Sequence, residues 1–450
     1  MNGPSKTIRG QLAFGAQEER STGGDRGPNR LARETTAAGR SDDGQWCCVQ
    51  AGHREQYGVP RALQSVGALQ SLITDLWIPP DSAAAALARG AFGRRLRDRF
   101  HQDIETKKVA SFPLQSFLWE ARTAMQGKRA GSRTLARNAW WSSLAARRLR
   151  RGAGLPPRYV FSYCYEAREL FKTARSLGII PILGQIDPGP VEDAKVAEIC
   201  AKWSSYVTSF MPGSAEYYGA WRDECRLAGS IIVNSEWSKS ALIRAGIESE
   251  KINVVPLVYT PPPESYRWRR YFSEQFTNRR PLRVLFLGQC ILRKGIAETI
   301  EAAKALSDEP VEFTLVGNTD IDGLERHFGR GRIRHFQRVS RGECHAHYRN
   351  ADIFLFPTHS DGYGLTQLEA QSWRLPILVS GFCGKVIEDG RDGLLLDTPS
   401  VDAIVQAVRL VISKPSMLAR MSASIPRRAF NIEDLGQRLK NLAAATEARR

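Results

Sequence analysis

The feature that most constrains this chain is an alternation, run twice, of short apolar stretches and amphipathic ones. Unbroken apolar runs of about four to eight residues mark strands buried on both faces, and apolar residues three or four apart mark helices between them. The first series begins at Trp46–Gln50 (WCCVQ) and continues through Leu72–Ile78, Arg158–Tyr165, Ile179–Gln185, Leu227–Asn234 and Ile252–Leu257. Helical stretches separate these runs, among them EARELFKTARSLG and SEWSKSALIRAG, where Ser235 is a fitting N-cap. A break follows at Thr260–Pro263 (TPPP), with a charged aromatic stretch running on to Arg280. The alternation then restarts with strands at Leu282–Leu287, Val311–Val316, Ile333–Phe336, Ile353–Phe356 and Pro376–Val379, and helical spacing at Ile296, Ile300 and Ala303. An amphipathic helix, Glu433–Ala444, closes the chain. Strands alternating with helices imply parallel sheets covered on both faces. The expected class is α/β, with two Rossmann-like domains facing across a ligand-binding cleft. The expected boundaries are a polar disordered tail at 1–40, a first domain at 41–264, a linker at 265–280, a second domain at 281–428 and a final helix at 429–450, and 450 residues suffice for two such domains.

Charge adds a second constraint. The net charge is +17, and the segment from Asp81 to Arg151 holds sixteen Lys or Arg against five Asp or Glu. Arg94, Arg95, Arg97, Arg99, Lys107, Lys108, Lys128, Arg129, Arg147, Arg148, Arg150 and Arg151 belong to it. Such a surplus attracts an anionic membrane, nucleic acid or an acidic acceptor. No nucleic-acid-binding motif accompanies it, so an anionic membrane is the expected partner and nucleic acid is not. Trp140 and Trp141 lie among these arginines, and either an amphipathic membrane-surface segment or a core-packing helix fits them. No apolar stretch reaches spanning length. The first forty residues have no apolar segment of the secretory kind. The expected location is therefore the cytoplasm, with peripheral association at the inner face of the membrane. The eight cysteines show no C-x-x-C spacing, which suits free thiols in a reducing compartment.

Two stretches carry the chemistry. SDGYGLTQLEAQSWRLPILVS starts at Ser360, directly after the strand IFLFP. Gly362 and Gly364 permit a tight loop, and a helix starts near Leu365. Free N–H groups and the helix dipole then face one point, a site for phosphate. Asp361 lies in the loop and Glu369 about one turn into the helix. Both suit sugar and ribose hydroxyls, or else Asp361 only makes a turn and Glu369 only complements the dipole. The second stretch, LFLGQCILRKGIAETIEA, puts Gly288 at a strand end and Lys294 before a helix. Lys294 either neutralises a diphosphate as a point charge or is a solvated lysine.

Together these stretches resemble the family 4 (group 1) glycosyltransferases of GT-B fold, which are retaining enzymes. The family's G-R-x-x-x-x-K-G is matched by Gly288, Gln289, Lys294 and Gly295, and its E-G-[FY]-G-x-x-x-x-E-A by Asp361, Gly362, Tyr363, Gly364, Glu369 and Ala370. VSRGECHAHYRNADIFLFPTHSDG, CGKVIEDGRDGLLLD and SIIVNSEWSKSALIRAGIESEKINVVPL are also similar to family segments, so the resemblance runs from about Tyr159 to Leu410. It implies that Lys294 binds the diphosphate of a nucleoside-diphosphate-sugar donor, that Glu369 holds the ribose and that Asp361 contacts the transferred sugar. It also implies that the backbone of Gly362, Tyr363, Gly364 and Leu365 cradles phosphate and sugar, and that Val339 meets the base. No metal and no cofactor are implied, and the acceptor is a glycan or a lipid-linked glycan. Three departures stand out. The family's Arg is Gln289 here, with Arg293 nearby as a substitute. Its first Glu is shortened to Asp361. Its N-terminal cleft His is absent from GQIDPG, which leaves Asp187 as the candidate in that half, unless Asp187 only caps the helix after Pro188. Those departures keep open a non-catalytic nucleotide-sugar or glycan binding protein of the same fold.

Gly52 and His53, in the loop after the first strand, are candidates for the acceptor side, unless His53 is a surface residue. Cys344, His345, His347 and His359 are close enough in sequence for a metal site. The resemblance puts Cys344–Arg349 on an ordinary surface helix, so no metal is expected.

Overall fold

The computed structural model describes residues 45–82, 85, 99–125, 130–152, 154–337, 339–426 and 431–449. The expected tail, Arg94, Arg95, Arg97, Lys128 and Arg129 lie outside them. The first half is a seven-stranded sheet of order β3-β2-β1-β4-β5-β6-β7, and the second a six-stranded sheet of order β10-β9-β8-β11-β12-β13. The strands of the first are β1 (Trp46–Gln50), β2 (Leu69–Thr74), β3 (Val109–Ser111), β4 (Tyr159–Tyr163), β5 (Ile180–Gly184), β6 (Ser230–Val233) and β7 (Ile252–Val254). Those of the second are β8 (Leu282–Leu287), β9 (Val311–Val316), β10 (Ile333–Phe336), β11 (Ile353–Phe356), β12 (Ile377–Ser380) and β13 (Gly393–Leu396). The paired strands run parallel throughout. These two sheets, with helices against them, form the GT-B architecture.

Helices of the first half are α1 (Gly58–Ser65), α2 (Pro113–Met125), α3 (Ala130–Arg150), α4 (Arg168–Ser176), α5 (Pro190–Lys202), α6 (Ala215–Leu227) and α7 (Glu236–Arg244). The rest are α8 (Ile296–Ala305), α9 (Arg341–Asn350), α10 (Leu365–Ser372), α11 (Val401–Ser413), α12 (Ser416–Ser424) and α13 (Ile432–Ala448). Ser235 caps α7 by accepting the Ser238 N–H. Where apolar runs were long the strands fall as expected. The second strand is an exception: it starts earlier, at Leu69, and ends at Thr74, because the Asp75 carboxylate turns to bind the Gly52 N–H and Arg99. Trp77 and Ile78 then pack as loop residues in the core. The edge strands β3 and β13 and the helix α2 have no sequence expectation, and α3 is the core-packing helix that one reading of Trp140 and Trp141 allowed.

The first sheet carries one core on each face. Trp46, Tyr57, Leu63, Leu72 and Phe161 pack with Leu435, Leu439 and Leu442 of α13, so the last helix crosses back to complete the first half. The other face joins Val49, Phe171, Leu183 and Trp221 with Trp141. Trp141 is only 2% exposed, and the half-buried Trp140 stacks on Trp119 at 5.5 Å. Of the two readings of that tryptophan pair, core packing is the one that holds. The stretch 265–280 lies against the second half: Phe276 enters its core, and the Arg270 guanidinium donates to the carbonyls of Tyr348 and Trp373. A further cluster spans both halves, with Ile199 and Tyr206 packed among Phe286, Ile296 and Leu315. None of the eight cysteines forms a disulfide. Among the described residues no helix is long and apolar enough to cross a membrane.

Candidate functional site

Each sheet reverses its strand order beside its first strand, between β1 and β4 and between β8 and β11. In doubly wound sheets the crevice opens at the carboxyl ends of such strands. The loops leaving those ends are 51–57, 164–167, 288–295 and 357–364. A cavity of about 310 Å³ lies among them. Gly288, Lys294, Phe356, Asp361 and residues 363–366 line it from the second half, and Arg54, Glu55, Ile186, Asn234 and Leu257 from the first.

The second half contributes backbone, one cation with its paired carboxylate, and aromatic rings. Gly364, at φ 84°, is the N-cap of α10, a left-handed position that costs a residue with a Cβ. Leu365 and Thr366, in the first turn of α10 where helix N–H groups lack an intrahelical partner, line the cavity. Gly362 is glycine for another reason than loop flexibility: a Cβ there would sit 2.3 Å from the Ile186 carbonyl oxygen of the first half. Lys294 reaches the cavity from the turn before α8, with its ammonium 5.0 Å from the centre of the Phe356 ring and paired with the Asp361 carboxylate. Burial and the adjacent Arg293 guanidinium pull the Lys294 pKa down, and the Glu192 carboxylate opposes this. Tyr363 and Leu365 both line the cavity. Glu369 sits one turn further along α10, where the Tyr348 hydroxyl donates to it at 2.8 Å.

Five of the expected donor residues do not line the cavity, Gly362 and Glu369 among them. Gln289 is exposed and does not line the cavity. Arg293 donates to the Ser360 carbonyl at 2.6 Å and pairs with Glu192 of α5 at 3.4 Å, so it joins the halves instead of facing the cavity. Val339 packs beside the core around Phe354 and Trp373.

The first half contributes side chains. Glu55, Gln56 and Tyr57 hold φ of 51°, 53° and 59°, three consecutive left-handed residues without a glycine. Such conformations persist only where the surroundings over-determine them. Here Tyr57 is fully buried, the Tyr163 hydroxyl donates to Glu55 at 3.1 Å, and the Arg54 guanidinium lies 5.2 Å above the Tyr163 ring. The loop thereby turns Arg54 and Glu55 into the cavity. Burial pushes the Glu55 pKa up, with the Tyr163 hydrogen bond opposing it. Gly52 and His53, the expected acceptor-side residues, sit one step behind: the Gly52 N–H binds Asp75 at 2.8 Å, and neither residue lines the cavity. Beside them the Ala51 N–H binds Glu166, whose pKa burial pushes up to about 8.

Asp187 does not line the cavity either. One of its carboxylate oxygens accepts from the Tyr165 hydroxyl at 2.7 Å, the Gly189 N–H at 2.9 Å and Gln185 at 3.1 Å. That is the turn-capping role, and burial raises its pKa. Around the cavity the halves are tied together by polar groups. Ser360 donates to Glu192 at 2.7 Å and accepts from the Trp237 indole at 3.1 Å, and Ser238 donates to the Gly362 carbonyl. His359 pairs with the buried Glu298, which also accepts from Trp203. Arg54, Glu55, Asn234 and Glu192 escaped the sequence reading. The only pointer to the first two was their place directly after Gly52 and His53.

Cys344, His345 and His347 lie on α9, where His345 faces Glu264 and Trp373 and His347 packs on Phe336. Among the described residues no three His, Cys, Asp or Glu side chains gather into a metal site.

Comparison with known proteins bears on this half of the chain most directly. Residues 269–428 match the family model described as glycosyl transferases group 1. A relative, an uncharacterized 41.2 kDa protein in the cps region of Klebsiella pneumoniae, is 24% identical over 179 residues, 39% of this chain and 50% of that one. The N,N'-diacetylbacillosaminyl-diphospho-undecaprenol alpha-1,3-N-acetylgalactosaminyltransferase of Campylobacter jejuni is 22% identical over 222 residues, 46% of this chain and 58% of that one. The chain thus spans little more than half the length of these relatives, and as little as 19% of others. Among solved structures, sucrose-phosphate synthase from Thermosynechococcus elongatus superposes with a TM-score of 0.60 at 14% identity, covering 90% of this chain and 100% of that one. Anabaena Alr3699/HepE, solved in complex with UDP-glucose, gives a TM-score of 0.56 at 12% identity over 89% of this chain and 99% of that one. At such identities the likeness is one of fold.

Proposed function

We propose that this chain is a retaining, hexosyltransferase-like enzyme of family 4 that moves a sugar from a nucleoside-diphosphate sugar to a glycan or lipid-linked acceptor at the cytoplasmic face. The observation that carries this reading is the convergence of Lys294, the Gly288 turn and the first turn of α10 on one cavity wall. Departure of a nucleoside diphosphate leaves negative charge on phosphate oxygens. An ammonium and oriented N–H groups at that point stabilise the transition state. A diphosphate competes with Asp361 for Lys294, and its arrival frees Asp361 to accept hydroxyl groups of the sugar. Glu369 takes the ribose, with Tyr348 fixing its orientation.

Arg54 supplies, from the opposite wall, the cation that Gln289 lacks. Glu55 faces the acceptor, and its burial makes it a better proton acceptor than an ordinary carboxylate. Asp187 anchors the turn before α5 and touches no substrate. Arg293 and Glu192 hold the two halves in register.

The test is thermal-shift screening against UDP-, GDP- and ADP-sugars, since a ligand of the folded state raises its melting temperature. UDP-glucose is the first donor to try. The expected result is a shift with one nucleotide class, followed by sugar transfer or slow donor hydrolysis. No shift with any of them sinks the proposal. A shift without transfer or hydrolysis assigns the chain to the non-catalytic binding reading, which the Gln289 departure favours.

A further inference from the structure

The helix α2 has two apolar faces on opposite sides. Its inner face is attached to the first half. Phe112 packs beside the core, Ser116 donates to the Asp75 carbonyl, Trp119 stacks on Trp140, and Thr123 is buried. At 100° per residue, positions 112, 116, 119 and 123 form one stripe. Leu114, Phe117, Leu118 and Ala121 form the opposite stripe. A surface helix ordinarily puts charged and polar residues there. Instead Leu114 is 65% exposed, Phe117 70% and Leu118 56%. Other exposed large apolar residues among those described, such as Leu155 and Tyr271, are scattered and do not share a helix face.

The described charges beside this stripe leave a cationic surplus, Glu120 against Arg122, Arg133 and Arg137. Glu120 is the only acid of α2, and Arg133 at 2.5 Å and Arg137 at 3.5 Å neutralise it. Arg122 flanks the stripe, exposed. In the sequence around α2, from Asp81 to Arg151, Lys and Arg outnumber Asp and Glu sixteen to five. A short apolar ridge with cationic flanks is complementary to an anionic lipid surface, where the apolar groups enter the acyl boundary and the cations meet lipid phosphates.

We propose that the outer face of α2 docks this protein on an anionic bilayer through Leu114, Phe117 and Leu118, with Arg122 on the headgroups. This takes the place of Trp140 and Trp141, which are occupied in packing. It does not rest on the transferase reading.

The experiment is sedimentation of the full chain with phosphatidylglycerol-containing vesicles and with pure phosphatidylcholine vesicles, at low and high salt. The expected result is binding to the anionic vesicles that weakens with salt. A variant with Leu114→Ser, Phe117→Ser and Leu118→Ser should lose on the order of tenfold or more in bound fraction, with its melting temperature unchanged. Arg122→Glu should weaken binding to anionic vesicles only. Absence of binding, binding indifferent to salt and lipid charge, or a triple variant that binds like the parent overturns the proposal. So does a lowered melting temperature, which means that the chain itself covers this face, or a dimer by light scattering that the triple variant abolishes. Transfer to a soluble acceptor should be the same for parent and triple variant, so failure here and failure of the transferase reading are separable.

Discussion

The second half meets the cavity with backbone, aromatic side chains and the Lys294–Asp361 pair, the first half with side chains on a strained loop. On one side Gly288, Gly364 and the first turn of α10 leave room for a ligand to touch main-chain N–H groups, and Lys294 adds a point charge. On the other, Arg54 and Glu55 project from three successive left-handed residues, beside Asn234 at the end of β6. A backbone wall recognises what every phosphate shares. A side-chain wall recognises what is particular to one partner, and is changed by single substitutions. On the proposed function, the backbone wall holds what all donors share and the side-chain wall the specificity.

The largest effect is expected where the two walls touch. Gly362→Ala puts a methyl group into the Ile186 carbonyl and drives the walls apart. A displacement near 1 Å costs roughly a hundredfold in rate, so transfer should fall by about that factor, and melting should also shift down. Steady-state kinetics and a thermal melt check it, and parent-like values would mean the halves are not in this contact in solution. Lys294→Ala should lower donor affinity and turnover together by about tenfold or more, the range of a charge-assisted contact, as read by titration and kinetics. Unchanged kinetics would remove Lys294 from the site.

Within the second wall, the two carboxylates should fail differently. Glu369→Gln should weaken free nucleoside diphosphate and whole donor alike, by roughly fivefold to tenfold. Asp361→Asn should leave free nucleotide binding intact and act only on the sugar donor. Calorimetry with nucleotide beside kinetics with donor separates them, and loss of nucleotide binding in Asp361→Asn would reverse the assignment. On the first wall, Glu55→Gln should spare donor affinity and slow transfer to the acceptor by roughly fivefold. An equal loss in donor hydrolysis would put Glu55 on the donor side.

The smallest effect lies behind that wall. Burial raises the Glu166 pKa from 4.5 to about 8, so between these values the folded chain keeps a proton that the unfolded chain has released. Its contribution is intact below about pH 4.5 and is lost as pH rises toward about 8. Glu166→Gln removes that loss. Its melting temperature relative to the parent should climb by roughly a few degrees between pH 5 and pH 9. A constant difference would show that Glu166 is charged in the fold throughout.

What could be read beforehand follows the same division. IFLF, and LRVLFL but for Arg283, are buried on both faces, and such strands carry a near-continuous apolar signal. Gly364 and Lys294 stand at strand and helix ends, where residue type is dictated by backbone and charge. Val109–Ser111 is too short for any period to register, and α3, crowded with arginine, hides the one face that packs Trp141. Arg54 and Glu55 give no sign, because Glu, Gln and Tyr are not residues expected at positive φ and only the surrounding fold holds them there. Gly362 reads in the sequence only as a loop glycine, because the group it approaches, the Ile186 carbonyl, is distant in sequence.

The return of α13 to the first half has a consequence for how the molecule is made. Gly436 lies against α1 so closely that a Cβ would meet the Ala62 carbonyl oxygen at 2.3 Å, and Leu435, Leu439 and Leu442 fill the core beneath β1. A ribosome delivers those residues after everything else described. While the chain is being synthesised, the second half has all its strands and can close, but the first half is left with an open apolar seam on one face. The half made first is therefore the half finished last, and during that interval its exposed seam is the part of the nascent chain most in need of a chaperone.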